Sequence, residues 1–167
     1  AGWGTRAVAA MRQAGIPAVV NERDGYFEAQ EIQLLLSLLQ IIDNPEQDLP
    51  MAAVLHSGLV GLDANELGAL RLTGEGSLWS LMPMYAEQAQ DERLVQFLGH
   101  IEHWRTLSRR HGVADLLWDI YETLDYVNYV GAMPNGLVRR ANVMALYERA
   151  KGFESSGFRG LFRFLRF

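Results

Sequence analysis

Tyr26-Phe27-Glu28-Ala29-Gln30-Glu31-Ile32-Gln33-Leu34-Leu35-Leu36-Ser37-Leu38-Leu39-Gln40-Ile41-Ile42-Asp43-Asn44-Pro45 is the stretch that decides the fold. Ile32, Leu35, Leu36 and Leu39 recur at i, i+3, i+4 and i+7, the spacing of one helical face. Leu34, Leu38 and Ile41 fall on a second face, so this helix is expected to be covered on two sides. Asn44-Pro45 ends it, because the residue before a proline avoids helical dihedrals.

The flanking sequence supplies the partners for such a helix. Asp48 and Pro50 announce a short helix reaching about His56. Ser57-Gly58-Leu59-Val60-Gly61-Leu62 reads as a tight loop, after which Asp63 and Glu66 form the N-cap and N3 pair of a helix ending near Leu72. Thr73 to Ser77 is a polar, glycine-containing break. Helical patterns then run over 78–89, 92–108 and 113–124, the last with Val113, Leu116, Leu117, Ile120, Tyr121 and Leu124 on one stripe. Gly131 to Gly136 is a loop before a helix at about 139–152, where Val143, Leu146, Tyr147 and Ala150 share a face. A final helix is expected from Phe158 to the chain end. Upstream, Ala7 to Ala14 is helix-like and 15–20 turn into one short β segment rich in β-branched residues. The expectation is a mostly α fold, an irregular multi-helix domain of short helices with helix-loop-helix elements.

With 167 residues, 49% of them hydrophobic, the chain buries roughly two thirds of its unfolded surface, enough for one or two small cores. Its longest apolar run is interrupted by Ser37 and Gln40 and falls short of the ~20 residues that span a bilayer; no membrane partner is expected. Ala1 to Arg6 carry no leader pattern and read as an internal start or an appended remnant. Without cysteine, disulfides and Cys-ligated zinc or iron–sulfur centres are excluded, and a cytoplasmic origin is compatible. Charge is unevenly placed: residues 1–138 hold 8 Arg and 18 acids, whereas 139–167 hold 7 Lys/Arg and 2 acids. A basic end on an acidic body suits a polyanion or an acidic neighbouring domain, and charge does not separate the two.

Chemistry-bearing motifs are few. A phosphate loop needs a Gly-rich turn followed by Lys and Ser or Thr, yet the single lysine, Lys151, is followed by Gly152 and Phe153. His100 and His103 sit at i, i+3 on one helix, and with no recognisable third ligand they read as a solvated face. Asp91 with Glu92 and Asp115 with Asp119 suit helix caps and exposed faces better than acid–base chemistry. No catalytic, metal or cofactor site is expected in this chain.

Two regions suit a ligand better. The 57–62 loop is a candidate DNA contact through Ser57, Gly58 and Gly61: its two glycines let backbone approach closely, and Asp63 opens a helix whose amides can face a phosphate; a plain turn between packed helices is the alternative. At the basic end, Phe158, Leu161, Phe162 and Leu165 alternate with Arg159, Arg163 and Arg166 on two helical stripes. Arginines there meet phosphate or pair with the acidic body. Arg139, Arg140, Asn142, Arg149 and Lys151 form a second basic patch. Trp79, Trp104 and Trp118 lie in helical patterns and are expected in the core, so the sequence identifies no exposed aromatic for base stacking.

The order of these motifs is similar to the superfamily 1 helicases of the UvrD type, where an aromatic pair, a Glu, a Leu-rich helix and an Asn-Pro stop lead from the second motor domain into the all-helical subdomain 2B. Tyr129-Val130-Gly131-Ala132-Met133-Pro134-Asn135-Gly136, Arg140-Ala141-Asn142, Leu146-Tyr147 and Phe153-Glu154 followed by Phe158 to Leu165 resemble the AddA (RexA) family in particular. Gly58-Leu59-Val60-Gly61 stands where related helicases grip duplex DNA through main-chain amides, although Gly58 replaces a proline common in that branch and His56 an arginine. The resemblance implies a piece of a bacterial ATP-dependent helicase/nuclease that works with a second subunit to resect double-strand DNA ends for recombinational repair. ATP and magnesium are implied for the parent enzyme, outside this piece. Residues 1–25 then correspond to the end of the second motor domain and 26–167 to a 2B-like accessory subdomain. Its expected role is to guide duplex DNA; docking on the motor domains or the partner subunit is the alternative.

Overall fold

The computed structural model describes residues 23–167 together with the single position Met11; the expected helix at 7–14 and β segment at 16–20 lie outside the described residues. The chain winds through α1 (Arg23–Tyr26), α2 (Gln30–Asp43), α3 (Asp48–His56), α4 (Ala64–Leu72), α5 (Leu78–Ala89), α6 (Glu92–Arg110), α7 (Val113–Thr123), α8 (Tyr126–Gly131), α9 (Gly136–Ser155) and α10 (Leu161–Phe164). The protein is mostly α.

The opening stretch is the hub. Ile32, Leu35, Leu38, Leu39, Ile41 and Ile42 of α2 are buried, and the helix packs against α3, α6, α9 and α10. Each such side chain stabilises the fold by roughly 1.5–3 kcal/mol relative to exposure. The other helices form two groups around α2, α3 to α6 and α7 to α9, joined by the contact of α6 with α7. Arg105 of α6 donates to the Ile42 carbonyl at 3.1 Å, satisfying an end of α2 that has no intrahelical partner.

Three departures from expectation have physical causes. Helix α8 leaves no signal in the sequence, because six residues with only Tyr126 and Val130 buried are too short for a period. Helix α9 starts at Gly136, not near Arg139, since its first turn carries Leu137 and Val138 open to solvent (86% and 61% exposed) and so shows no apolar stripe. The final helix shrinks to the single turn α10, because Gly157 (φ +83°) and Gly160 (φ +95°) break the chain in the left-handed region. Leu161 and Phe164 are the residues buried there, and Phe162 faces out.

Candidate nucleic-acid interface

The basic patch on α9 is largely consumed by the fold. Glu31 is the buried polar residue among the apolar buried side chains of α2; its carboxylate accepts from Arg139 (2.6 Å) and from the Asn142 amide (2.7 Å). Tyr126 donates to the Glu31 carbonyl at 2.8 Å, Tyr26 to the Asn142 carbonyl at 2.9 Å and Tyr121 to the Val143 carbonyl at 2.9 Å. Burial pushes Tyr26 up to about 12 against the pull of Arg149, and raises Tyr121 and Tyr126 further. These phenols stay protonated donors at every physiological pH.

Arg139 also donates to the Pro134 carbonyl, and Arg140 to the Val127 carbonyl at 3.2 Å and the Asn128 side chain. Arg149 lies over the rings of Tyr26 (4.8 Å) and Phe27 (5.1 Å). Lys151 lies over Tyr147 and within 3.4 Å of Glu148. Glu31 is not among the site residues expected from the sequence, although a Glu four residues before Leu35 on a buried stripe signals a buried cationic partner.

In the 57–62 loop most amides are turned inward. Ser57 Oγ donates to Val54 and accepts from Leu59 N; the Val60 and Gly61 amides donate to the Ser57 carbonyl, and Leu62 N to Leu55. The His56 Nδ1–H donates to the Leu62 carbonyl at 2.8 Å. Asp63 takes the amides of Asn65 and Glu66 while Glu66 takes that of Asp63, a capping box. The amides offered to a phosphate are thus held by carboxylates, and Gly58 N is the loop amide without a partner among the described residues. Arg93 clamps the turn, donating to Gly61 O, Glu66 and Asp91; the guanidinium holds Asp91 below the usual carboxylate range. Gly58 is required by close approach, because a Cβ there collides with the Tyr129 hydroxyl of α8.

The chain end differs. Arg159 shares a cleft of about 500 Å³ with Arg109, Arg110 and His111, together with Asp115 and Glu154. Glu154 is tied down as a cap for α7, accepting from Ala114 N at 3.3 Å where the N-cap residue Gly112 has no side chain to do so. None of the three arginines lies within 4.0 Å of a carboxylate oxygen among the described residues. Arg163 is exposed, and Arg166 stacks on Phe162 at 4.2 Å. Arg109 and Arg110 lie outside the two basic regions read from the sequence; their signal is Arg-Arg-His at the end of a 19-residue helix, where cations complement the helix dipole. Contrary to expectation, aromatics are exposed: Phe158, Phe162 and Phe167 are 47%, 53% and 74% exposed. Trp118, expected in the core, is 44% exposed, and Trp79 is half-buried.

The histidines of α6 are tied to its neighbours. His103 and Trp104 both donate to Asp119, and the His100 ring lies tilted against Trp104 at 5.3 Å. Among the described residues no three His, Asp or Glu side chains are grouped to hold a metal ion, and no helix is long and apolar enough to cross a membrane. Lys151-Gly152 lies inside α9 and not on a phosphate loop.

No protein-family model matches the chain. Its relatives among curated proteins are ATP-dependent helicase/nuclease subunits. The AddA subunit of Bacillus licheniformis is 46% identical over 171 residues, covering 99% of this chain and 14% of the relative. The AddA subunits of Geobacillus thermodenitrificans and Desulforudis audaxviator are 44% and 49% identical, each over 94% of this chain and 13% of the relative. The chain is therefore a relative of the AddA subunit of ATP-dependent helicase/nuclease, matching one segment of it and spanning about 14% of its length.

Proposed function

We propose that this segment contacts DNA on behalf of an ATP-dependent helicase/nuclease, as an accessory domain without a catalytic centre of its own. Residues 26–167 form that 2B-like domain and residues 1–25 the end of the second motor domain; the setting is cytoplasmic and the ligand double-stranded DNA. The observation that carries the reading is the convergence of Arg109, Arg110 and Arg159 on one cleft, with no ion-pair partner among the described residues. A guanidinium left free in this way gains by neutralising phosphate and releasing counterions. Arg163 and Arg166 extend the same end of the molecule, while Ser57, Gly58 and Gly61 offer one free amide at a second place.

The test is a fluorescence-anisotropy titration of labelled duplex DNA at low salt. Binding weakens with salt, and Arg109→Glu with Arg159→Glu lowers the affinity and cuts the salt slope by about one per lost phosphate contact. Arg139→Glu with Arg140→Glu is the control for the α9 patch, where a loss of affinity accompanied by a loss of fold assigns that patch to structure. Absence of duplex binding at high micromolar protein ends the reading. A second reading, docking on the motor domains or on the partner subunit, is favoured by the adjacent open side chains of Leu137 and Val138. It predicts that Leu137→Ser changes association with the rest of the enzyme and leaves DNA affinity alone.

A further inference from the structure

At the arginine cleft a helix lacks its local cap and takes a distant carboxylate instead. Helix α7 follows Gly112, which has no side-chain oxygen to offer the first amides, the service that Ser, Thr, Asp or Asn ordinarily performs. Glu154, 40 residues further on, fills the place and accepts from Ala114 N at 3.3 Å. A Cβ on residue 112 would collide with both of its carboxylate oxygens, so the glycine admits the imported group. The end of α9 that carries Glu154 is pinned by the preceding residue, Phe153, which is buried with the Phe158 ring at 5.6 Å and the Phe164 ring at 5.5 Å. Glu154 is half-buried, whereas Arg109, Arg110 and Arg159 around the same cleft are exposed. None of the three pairs with it within 4.0 Å among the described residues. The fold therefore fixes a negative charge in the cleft and leaves the positive ones on long, open side chains. Asp115, the other acid there, is 70% exposed and only loosely associated with His111 at 3.8 Å.

A neutral oxygen caps a helix about as well as a charged one, so capping α7 does not by itself call for a carboxylate. A phosphate entering the cleft meets the arginines and, beside them, a like charge that withdraws only by uncapping α7. We propose that Glu154 is a built-in competitor for phosphate in this cleft, holding the affinity for a DNA backbone below what three guanidiniums deliver, so that a bound phosphate is let go as readily as it is taken up. The inference rests on the DNA-binding reading of the cleft and adds to it a limit on the grip. It suits an accessory domain of an enzyme that travels along its substrate, where each backbone contact has to be made and then lost.

The experiment titrates labelled duplex DNA on the 167-residue chain at low salt. Glu154→Gln keeps the size of the side chain and an oxygen for the Ala114 amide while removing the charge. It is expected to raise duplex affinity about fivefold, a gain that shrinks above about 0.1 M salt, where charges are screened beyond about 10 Å. Asp115→Asn raises affinity less, because its carboxylate stands open to solvent. Thermal unfolding of Glu154→Gln stays close to that of the parent chain. Unchanged or weaker affinity in a Glu154→Gln chain that unfolds like the parent overturns the inference and leaves Glu154 a cap alone. Where Glu154→Gln lowers the melting temperature, Glu154→Ala combined with Gly112→Ser supplies a local cap and decides the matter: the same gain supports the inference, and no gain overturns it. Duplex binding that weakens with Arg109→Glu and ignores both Glu154 variants keeps the DNA reading and removes this inference, whereas no binding by the parent and by Glu154→Gln alike removes both.

Discussion

Arg139 and Arg166 are the same residue on the same basic end of the chain, and they do opposite things. Arg139 reaches a buried carboxylate 108 residues away and is itself partly buried beside it. The Arg166 guanidinium lies 4.2 Å over the exposed Phe162 ring and forms no ion pair among the described residues. The first guanidinium has its charge neutralised and its donors used inside the fold, so its cost of desolvation is offset only while Glu31 stays in place. The second keeps its charge in solvent. Charge count along the sequence treats the two alike; burial of the partner separates them.

The sharpest way to break this comparison is at Glu31. Glu31→Ala strands the Arg139 guanidinium and the Asn142 amide and is expected to cost about 3–5 kcal/mol, read as a lower urea midpoint, whereas Arg166→Ala changes stability by less than ~0.5 kcal/mol. Glu31→Gln, which keeps an acceptor for one neighbour, falls between them. Equal effects of Glu31→Ala and Arg166→Ala would remove the distinction between a structural and an available arginine.

A smaller effect tests the 57–62 turn, where the backbone, not a side-chain charge, is either enclosed or available. Gly58→Ala drives a methyl group into the Tyr129 hydroxyl and is expected to cost about 1–3 kcal/mol, in the range of overpacking. Tyr129→Phe in the same chain restores part of it, a coupling that a double-mutant cycle measures directly. If the two changes add without coupling, the turn is not held against α8 and its backbone is freer for a ligand than its hydrogen bonds indicate.

How much of this is legible in the sequence follows from how local each signal is. The 14 residues of α2, the 48–56 helix and the Asp63–Glu66 cap agree with the sequence reading because period, proline and cap act within one or two turns. Helix α8 and the one-turn end do not show, since a single buried pair in α8 and two glycines at positive φ leave no period to count. Candidate arginines are legible as a basic end, but not their fates: Arg139 is settled by Glu31, Arg149 by Tyr26 and Phe27, and Arg109 joins Arg159 only in three dimensions. Trp118 illustrates the same limit, sitting in a helical pattern yet opening toward Tyr147 at 5.4 Å instead of inward.

The smallest expected effect separates the two layers by pH. Burial, with His103 beside it, holds the His100 imidazole below its ordinary value, while Asp119 pulls the other way. The unfolded chain therefore binds a proton near pH ~6.5 that the folded one resists. With a depressed folded value, the neutral ring's contribution is fully present above the unfolded value and is lost as pH falls through the folded one. His100→Gln should flatten the decline of the urea midpoint between about pH 7 and 5. The decline that remains then belongs to carboxylates such as Asp91, which Arg93 holds ionised to lower pH and whose contribution fades only as pH falls through that lowered range. A slope unchanged by His100→Gln would mean that the ring against Trp104 is as well hydrated folded as unfolded, and that the α2–α6 layer is looser there than the Glu31 side.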